Sequence, residues 1–255
     1  MIECGSLEYA QARIGARQGE RLRESDWQRI EVLRDLGPLL DMVRGTSLRP
    51  WVAGIDASSD AHRIESALRA RWRAIVAEAA GWMPARWRPA VSWWTSLPEL
   101  APLQHLARGD EPPAWMRDDE TWRDICAAAP AARAARLAEG PLAPLAPAWS
   151  APQTLAHAWQ AEWRRRWPDG QRNVDELLEP VAFAWIMRGK PIGVATGHEA
   201  WLRRGSLRSR LALLMRRATL RPAAAFIHLV LCAIDLEQLR AELLRRVLFA
   251  RWKAA

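Results

Sequence analysis

A chain of 255 residues has room for one large or two modest domains, either of which can bury a real core. Its 37 basic residues outnumber 29 acidic ones for a formal net charge of +8, and 35 of the 37 are arginine, with Lys190 and Lys253 the exceptions. Three widely spread cysteines, Cys4, Cys126 and Cys232, fit a reducing, cytoplasmic compartment rather than a disulfide framework. The N-terminus has neither the basic start nor the apolar core of a signal peptide. The longest apolar run, residues 223–234, falls short of the ~20 residues that cross a bilayer.

Helical periodicity runs nearly from end to end, and no stretch alternates as a half-buried strand does, so the expected fold is all-α. Leu7, Ala10 and Ile14 mark a first helix ending near Gly19. Ser25 and Gln28 suggest a capping box for a second helix carrying Trp27, Ile30 and Leu33, which Gly37-Pro38 stops and restarts. Ser58-Ser59-Asp60 begins the clearest amphipathic helix. Ile64, Leu68, Trp72, Ile75, Val76 and Ala79 share one face, and Arg63, Arg69, Arg71, Arg73 and Glu78 the other. Trp87, Ala90, Val91 and Trp94 line a short helix after Pro84.

From Arg108 to Pro152 the texture changes, and the Pro-rich run Gly140 to Pro147 is the best candidate boundary. This gives an N-terminal helical subdomain at 1–108, a connecting segment with short helices at 109–152, and C-terminal helices at 153–255. Beyond it Leu155, Trp159, Trp163 and Trp167 recur every four residues on a helix that Pro168-Asp-Gly170 ends. Another helix is expected over Val174–Arg188, bent near Pro180, followed by the glycine-rich loop Gly189–Gly197. Pro222 then starts an apolar helix over Ala223–Ile234, and Asp235 with Gln238 reads as the capped start of a second. On that last helix Leu236, Leu239, Leu243 and Val247 make the stripe, and Arg240, Glu242, Arg245 and Arg246 face away.

Little in this sequence carries chemistry. Lys190 is followed by Pro191, not by the Ser or Thr of a phosphate-binding loop, so the glycine-rich segment reads as a plain connection. The five histidines are scattered without metal-ligand spacing, and neither metal nor cofactor is expected. Asp118-Asp119-Glu120 suits the start of a helix, where carboxylates complement the dipole, better than acid–base catalysis. The sixteen tryptophans fall mostly on apolar helix faces and read as core. GC-rich codons account for much of the Arg and Ala excess. The densest basic run, Arg164, Arg165 and Arg166, is a solvated helix face or the surface that touches an anionic partner. Nothing here argues for an enzyme or a small-molecule substrate.

Two segments hint at an internal repeat. Glu99 to Arg108 aligns with Asp235 to Arg245, and each follows by about thirty residues a Leu-Arg-x-Arg-x element, at Leu68–Trp72 and at Leu207–Leu211. The opening Tyr9-Ala-Gln-Ala-Arg-Ile-Gly-Ala-Arg-Gln-Gly-Glu-Arg-Leu22, then Ser25 to Ile30, resembles that of the V/A-type ATPase C-subunit family, whose eukaryotic members are the d-subunits. Glu99 to Arg108 is similar to the family's Asp-Leu-x-Asn-Leu-Gln-x-Leu-Leu-Arg repeat ending, with Pro102 in place of the Asn, and Glu237 to Phe249 resembles its C-terminal helix. The resemblance covers the first third and the last fifth of the chain.

It implies two or three repeated helical subdomains forming a funnel, and a non-catalytic rotor part of the central stalk. Its partners would be the membrane rotor ring and the central shaft, its place the cytoplasmic face of the membrane, and its process proton or sodium transport. The alternative from composition is a basic helical adaptor for nucleic acid or another polyanion.

Overall fold

The computed structural model describes residues 6–169 and 197–253. Among these there is no strand: the chain is all-α, as its periodicity predicts. Helices α1 (Leu7–Gly19), α2 (Glu24–Val32), α3 (Leu36–Arg44) and α4 (Ala61–Trp82) come first. Short helices α5 (Arg88–Ser92), α6 (Leu100–Ala107), α7 (Ala114–Asp118), α8 (Arg123–Ala127) and α9 (Arg133–Glu139) then lead to α10 (Leu155–Arg165). The last two are α11 (Gly197–Arg217) and α12 (Ala223–Lys253). Between them, 3-10 turns gather at prolines, at Ala85–Trp87, Trp93–Glu99 and Ala143–Ala148, where a missing N–H and fixed φ limit α-helix propagation.

The helix starts follow local chemistry. Asp60 accepts the backbone N–H of Arg63 at 2.8 Å, the N-cap bond that opens α4. In α2 the expected cap is displaced. Arg23 donates its backbone N–H to the Asp26 carboxylate at 3.0 Å and the helix begins at Glu24, so Ser25 and Gln28 lie inside it. The acidic triplet also sits differently from its reading as a helix start: Asp118 ends α7, and Asp119 accepts the Thr121 N–H at 2.9 Å in the turn before α8.

The largest departure is at the C-terminus, where the two expected helices are one helix of 31 residues. No Gly or Pro interrupts Ala223–Lys253, and Asp235, lacking a helix end to cap, is buried and paired with Arg21 at 2.7 Å. The apolar part is buried all round, without a break from Pro222 to Leu231. The helix expected over Val174–Arg188 and the glycine-rich loop lie outside the described residues, apart from Gly197 at the start of α11.

By backbone proximity the chain forms two units that are not consecutive in sequence, unlike the three consecutive segments read from composition. The Pro-rich 140–147 run belongs inside one of them, because its alternating apolar residues are core: Leu142, Leu145 and Ala148 are buried. One unit comprises Met1–Ile14 and Val76–Leu231. Its centre is aromatic: Trp163 of α10 meets Trp94 at 5.3 Å and Phe226 at 5.0 Å edge-on, and stacks on Trp159 at 5.9 Å. Polar bonds lock α10 in place, since Trp159 donates its indole N–H to Ser96 Oγ at 2.8 Å and Trp93 donates its own to the Trp159 carbonyl at 3.1 Å.

The other unit comprises Gly15–Ile75 and Cys232–Ala255. Trp27, Ile30, Leu39, Val43, Ile64, Leu68 and Trp72 are buried in it with Leu236, Leu239 and Leu243. Its apolar faces are those the spacing predicts. Two arginines assigned to outer faces are not there, however. Arg69 is buried beside Glu65 at 3.2 Å, and Arg246 is buried by more than nine-tenths. Each enters the interior because a specific acceptor waits for it, which a hydropathy pattern cannot register.

Candidate functional site

Arg164, Arg165 and Arg166 end α10, where cations complement the dipole. They do not form a uniform solvated face. Glu162, itself buried, takes Arg165 at 2.7 Å and Arg166 at 2.7 Å, and the Arg166 guanidinium lies 4.5 Å over the Trp93 ring. Charge and stacking thus bind two of the three arginines to their own unit, which lowers the field available to an outside anion. The signal was legible: a glutamate three and four residues before a pair of arginines is a standard helical ion-pair spacing.

Hydrogen bonding from Arg165, with the charge of Arg166 added, holds the Glu162 carboxyl below its ordinary value of 4.5 against the opposing effect of its burial. A carboxyl whose folded pKa is depressed stabilises the fold above the unfolded pKa, and that contribution is lost as pH falls through the folded one. Thermal unfolding followed from neutral pH into acid is therefore expected to show wild type losing stability below about pH 4.5, more steeply than Glu162→Gln. Parallel curves for the two proteins would mean that the cluster contributes nothing in solution.

A second constellation lies in the unit of α2 and the later part of α12. Arg246 reaches the end of α2, donating to the carbonyls of Ile30 at 2.8 Å and Leu33, and pairs with Glu242 at 2.6 Å. Arg245 donates to the Glu31 carbonyl at 3.0 Å. Carbonyls at a helix C-terminus have no intrahelical donors, so two guanidinium groups supply both the missing hydrogen bonds and a charge of the right sign for the dipole. Further along, Glu65 of α4 joins Arg69 and, at 2.6 Å, Arg240 of α12. Beside the Arg246 clamp opens a groove of about 1000 Å³ lined by Glu31, Val32, Asp35, Asp60 and Arg245 among others, with Val32 76% exposed.

The aligned repeat segments share a structural device. Glu99 and Asp235, their first residues, are both buried carboxylates with a donor from elsewhere in the chain: Trp122 gives its indole N–H to Glu99 at 2.7 Å, and Arg21 pairs with Asp235. The preceding Leu-Arg-x-Arg-x elements lie on α4 and α11. Comparison of the chain with protein-family models, curated proteins and solved structures finds no match.

His228 is buried against Trp82 at 5.8 Å, and His105 is on a different helix beside Asp110. Among the described residues, no group of three or more His, Cys, Asp or Glu side chains is arranged to hold a metal ion. No described helix is long and apolar enough to cross a membrane. Composition and periodicity missed the acceptors that Arg69, Arg240 and Arg246 find, because each hydropathy pattern reports a face and not a partner. What the constellation consists of is side-chain clamps between helices.

Proposed function

We propose that this chain is a non-catalytic central-stalk connector of a V/A-type rotary ATPase, linking the cytoplasmic shaft to the membrane rotor ring in proton or sodium transport. One observation carries the reading. Two of the stretches that resemble the rotary-ATPase family lie at opposite ends of the sequence, and they meet: Arg246, from the Glu237–Phe249 stretch, holds the carbonyl of Ile30, the last residue of the Ser25–Ile30 stretch. Motifs that depend on each other for a buried hydrogen bond keep their order and spacing together, which chance matches of Leu, Arg and Glu at helical spacing need not do.

The physical demands of the role agree with the rest of the molecule. A connector under torque acts by keeping its shape, and close-packed aromatic rings with multidentate arginine clamps resist deformation. The arginine surface at Arg164–Arg166, two of whose charges are already engaged by Glu162, supports a polyanion adaptor less well.

Expressed with its genomic neighbours, the protein is expected to co-purify with a ring component and with the long coiled-coil shaft of the motor. Deleting it should uncouple ATP hydrolysis from ion transport while leaving the head able to hydrolyse ATP. Unchanged coupling after deletion, or steeply salt-dependent binding of RNA by the purified chain, would replace this reading with the polyanion adaptor.

A further inference from the structure

In α10 and α12 the C-terminal arginines stand three and four residues from a glutamate that binds them, Glu162 in one helix and Glu242 in the other. Past Glu199, α11 has no such partner: seven arginines and no Asp or Glu lie between Glu199 and Asp235. Four of the seven, Arg210, Arg216, Arg217 and Arg221, are exposed, and none of these four forms an ion pair among the described residues.

The inward seam of α11 is Leu211 and Ala218, 1% and 0% exposed. At about 100° per residue Leu213 lies roughly 200° round from Leu211, and it is 59% exposed. Arg210 stands three residues before Leu213, and Arg216 and Arg217 three and four after, so all three share its outward face. Leu220, in the turn that follows, is 49% exposed with φ 58°, in the left-handed region that favours glycine, and its N–H donates to Gln11 Oε1 at 3.3 Å. Single exposed leucines are ordinary. Two of them among unpaired arginines, on a stretch without acid, make an amphipathic surface suited to the boundary between phosphate headgroups and acyl chains. Leucine enters the apolar layer there, and the arginine forks take the phosphate oxygens. Nucleic acid offers the same phosphates but no apolar layer for Leu213 and Leu220, so the leucines favour lipid.

We infer that the outward face of α11, with the turn after it, docks directly on an anionic phospholipid surface. This stands apart from the rotor reading, which brings the chain to a membrane only through a ring protein. Sedimentation of the full chain with vesicles of phosphatidylcholine alone, and with vesicles of equal parts phosphatidylcholine and phosphatidylglycerol, tests it. Wild type should bind the anionic vesicles and leave the neutral ones in suspension. Each arginine near an anionic surface contributes about fivefold, so Arg210→Gln with Arg217→Gln should weaken binding roughly 25-fold. Arg29→Gln with Arg49→Gln removes the same charge from the other unit and should bind nearly as wild type does.

Leu213→Ser with Leu220→Ser leaves every charge in place and should weaken binding about tenfold. Circular dichroism checks that each variant, changed only at exposed positions, keeps its helices. Absence of binding to the anionic vesicles, or equal binding by wild type and the leucine variant, would overturn the assignment. RNA bound with the same arginine dependence, while vesicles are left alone, would give the face to nucleic acid instead.

Discussion

Trp163→Ala is expected to destabilise the protein by about 3–5 kcal/mol, a large share of the stability of an ordinary domain. The indole is fully buried and touches Trp94, Trp159, Trp167 and Phe226, four rings at centroid distances between 5.0 and 5.9 Å. Truncation removes the transfer energy of the side chain and leaves a cavity whose walls are large planar groups, which collapse poorly into such a space. The edge-on geometry adds about 0.5–1.5 kcal/mol for each aromatic pair beyond area alone. Chemical denaturation with circular dichroism reads the change directly. A loss under about 1 kcal/mol would show that the cluster relaxes around the hole.

Asp235→Ala should cost about 3 kcal/mol, chiefly because a buried positive charge is left behind without its counter-ion. Asp235 and Arg21 keep only 8% and 17% of their side-chain surface, so water does not take over the role of the missing carboxylate. The sign of the effect depends on which partners remain. Replacing both, as Arg21→Met with Asp235→Leu, removes the stranded charge along with the pair and should recover most of the stability. A double variant no better than Asp235→Ala would indicate that the pair sets the local geometry of α12 and not merely its charge balance.

That same aspartate shows where sequence reasoning meets its limit. Asp at one position and Gln three later is a helix-start pattern, and nothing local distinguishes it from an interior Asp with a distant partner. The decisive cue was negative, the lack of any Gly or Pro between Pro222 and Lys253 that would let the chain break. Apolar faces, by contrast, were fully legible: Ile64, Leu68, Trp72, Ile75, Val76 and Ala79 recur at helical spacing and all are buried. Periodicity reports burial well because burial depends on the face alone. It reports arginine poorly, since Arg69 and Arg246 sit inside for the sake of Glu65, Glu242 and the end of α2. The Arg164–Arg166 run was visible as charge, but its neutralisation became plain only when Glu162 and Trp93 were seen around it.

The ion pairs named at Asp235, Glu65, Glu162 and Glu242 all draw their positive member from arginine. Had lysine filled those places, its ammonium would begin to discharge near pH ~10, and strong base would dissolve the pairs one by one. A guanidinium, unlike an ammonium, keeps its charge across the whole range in which proteins stay folded. At Glu162, whose carboxyl its arginines hold below the ordinary value, acid is the direction that loosens the pair.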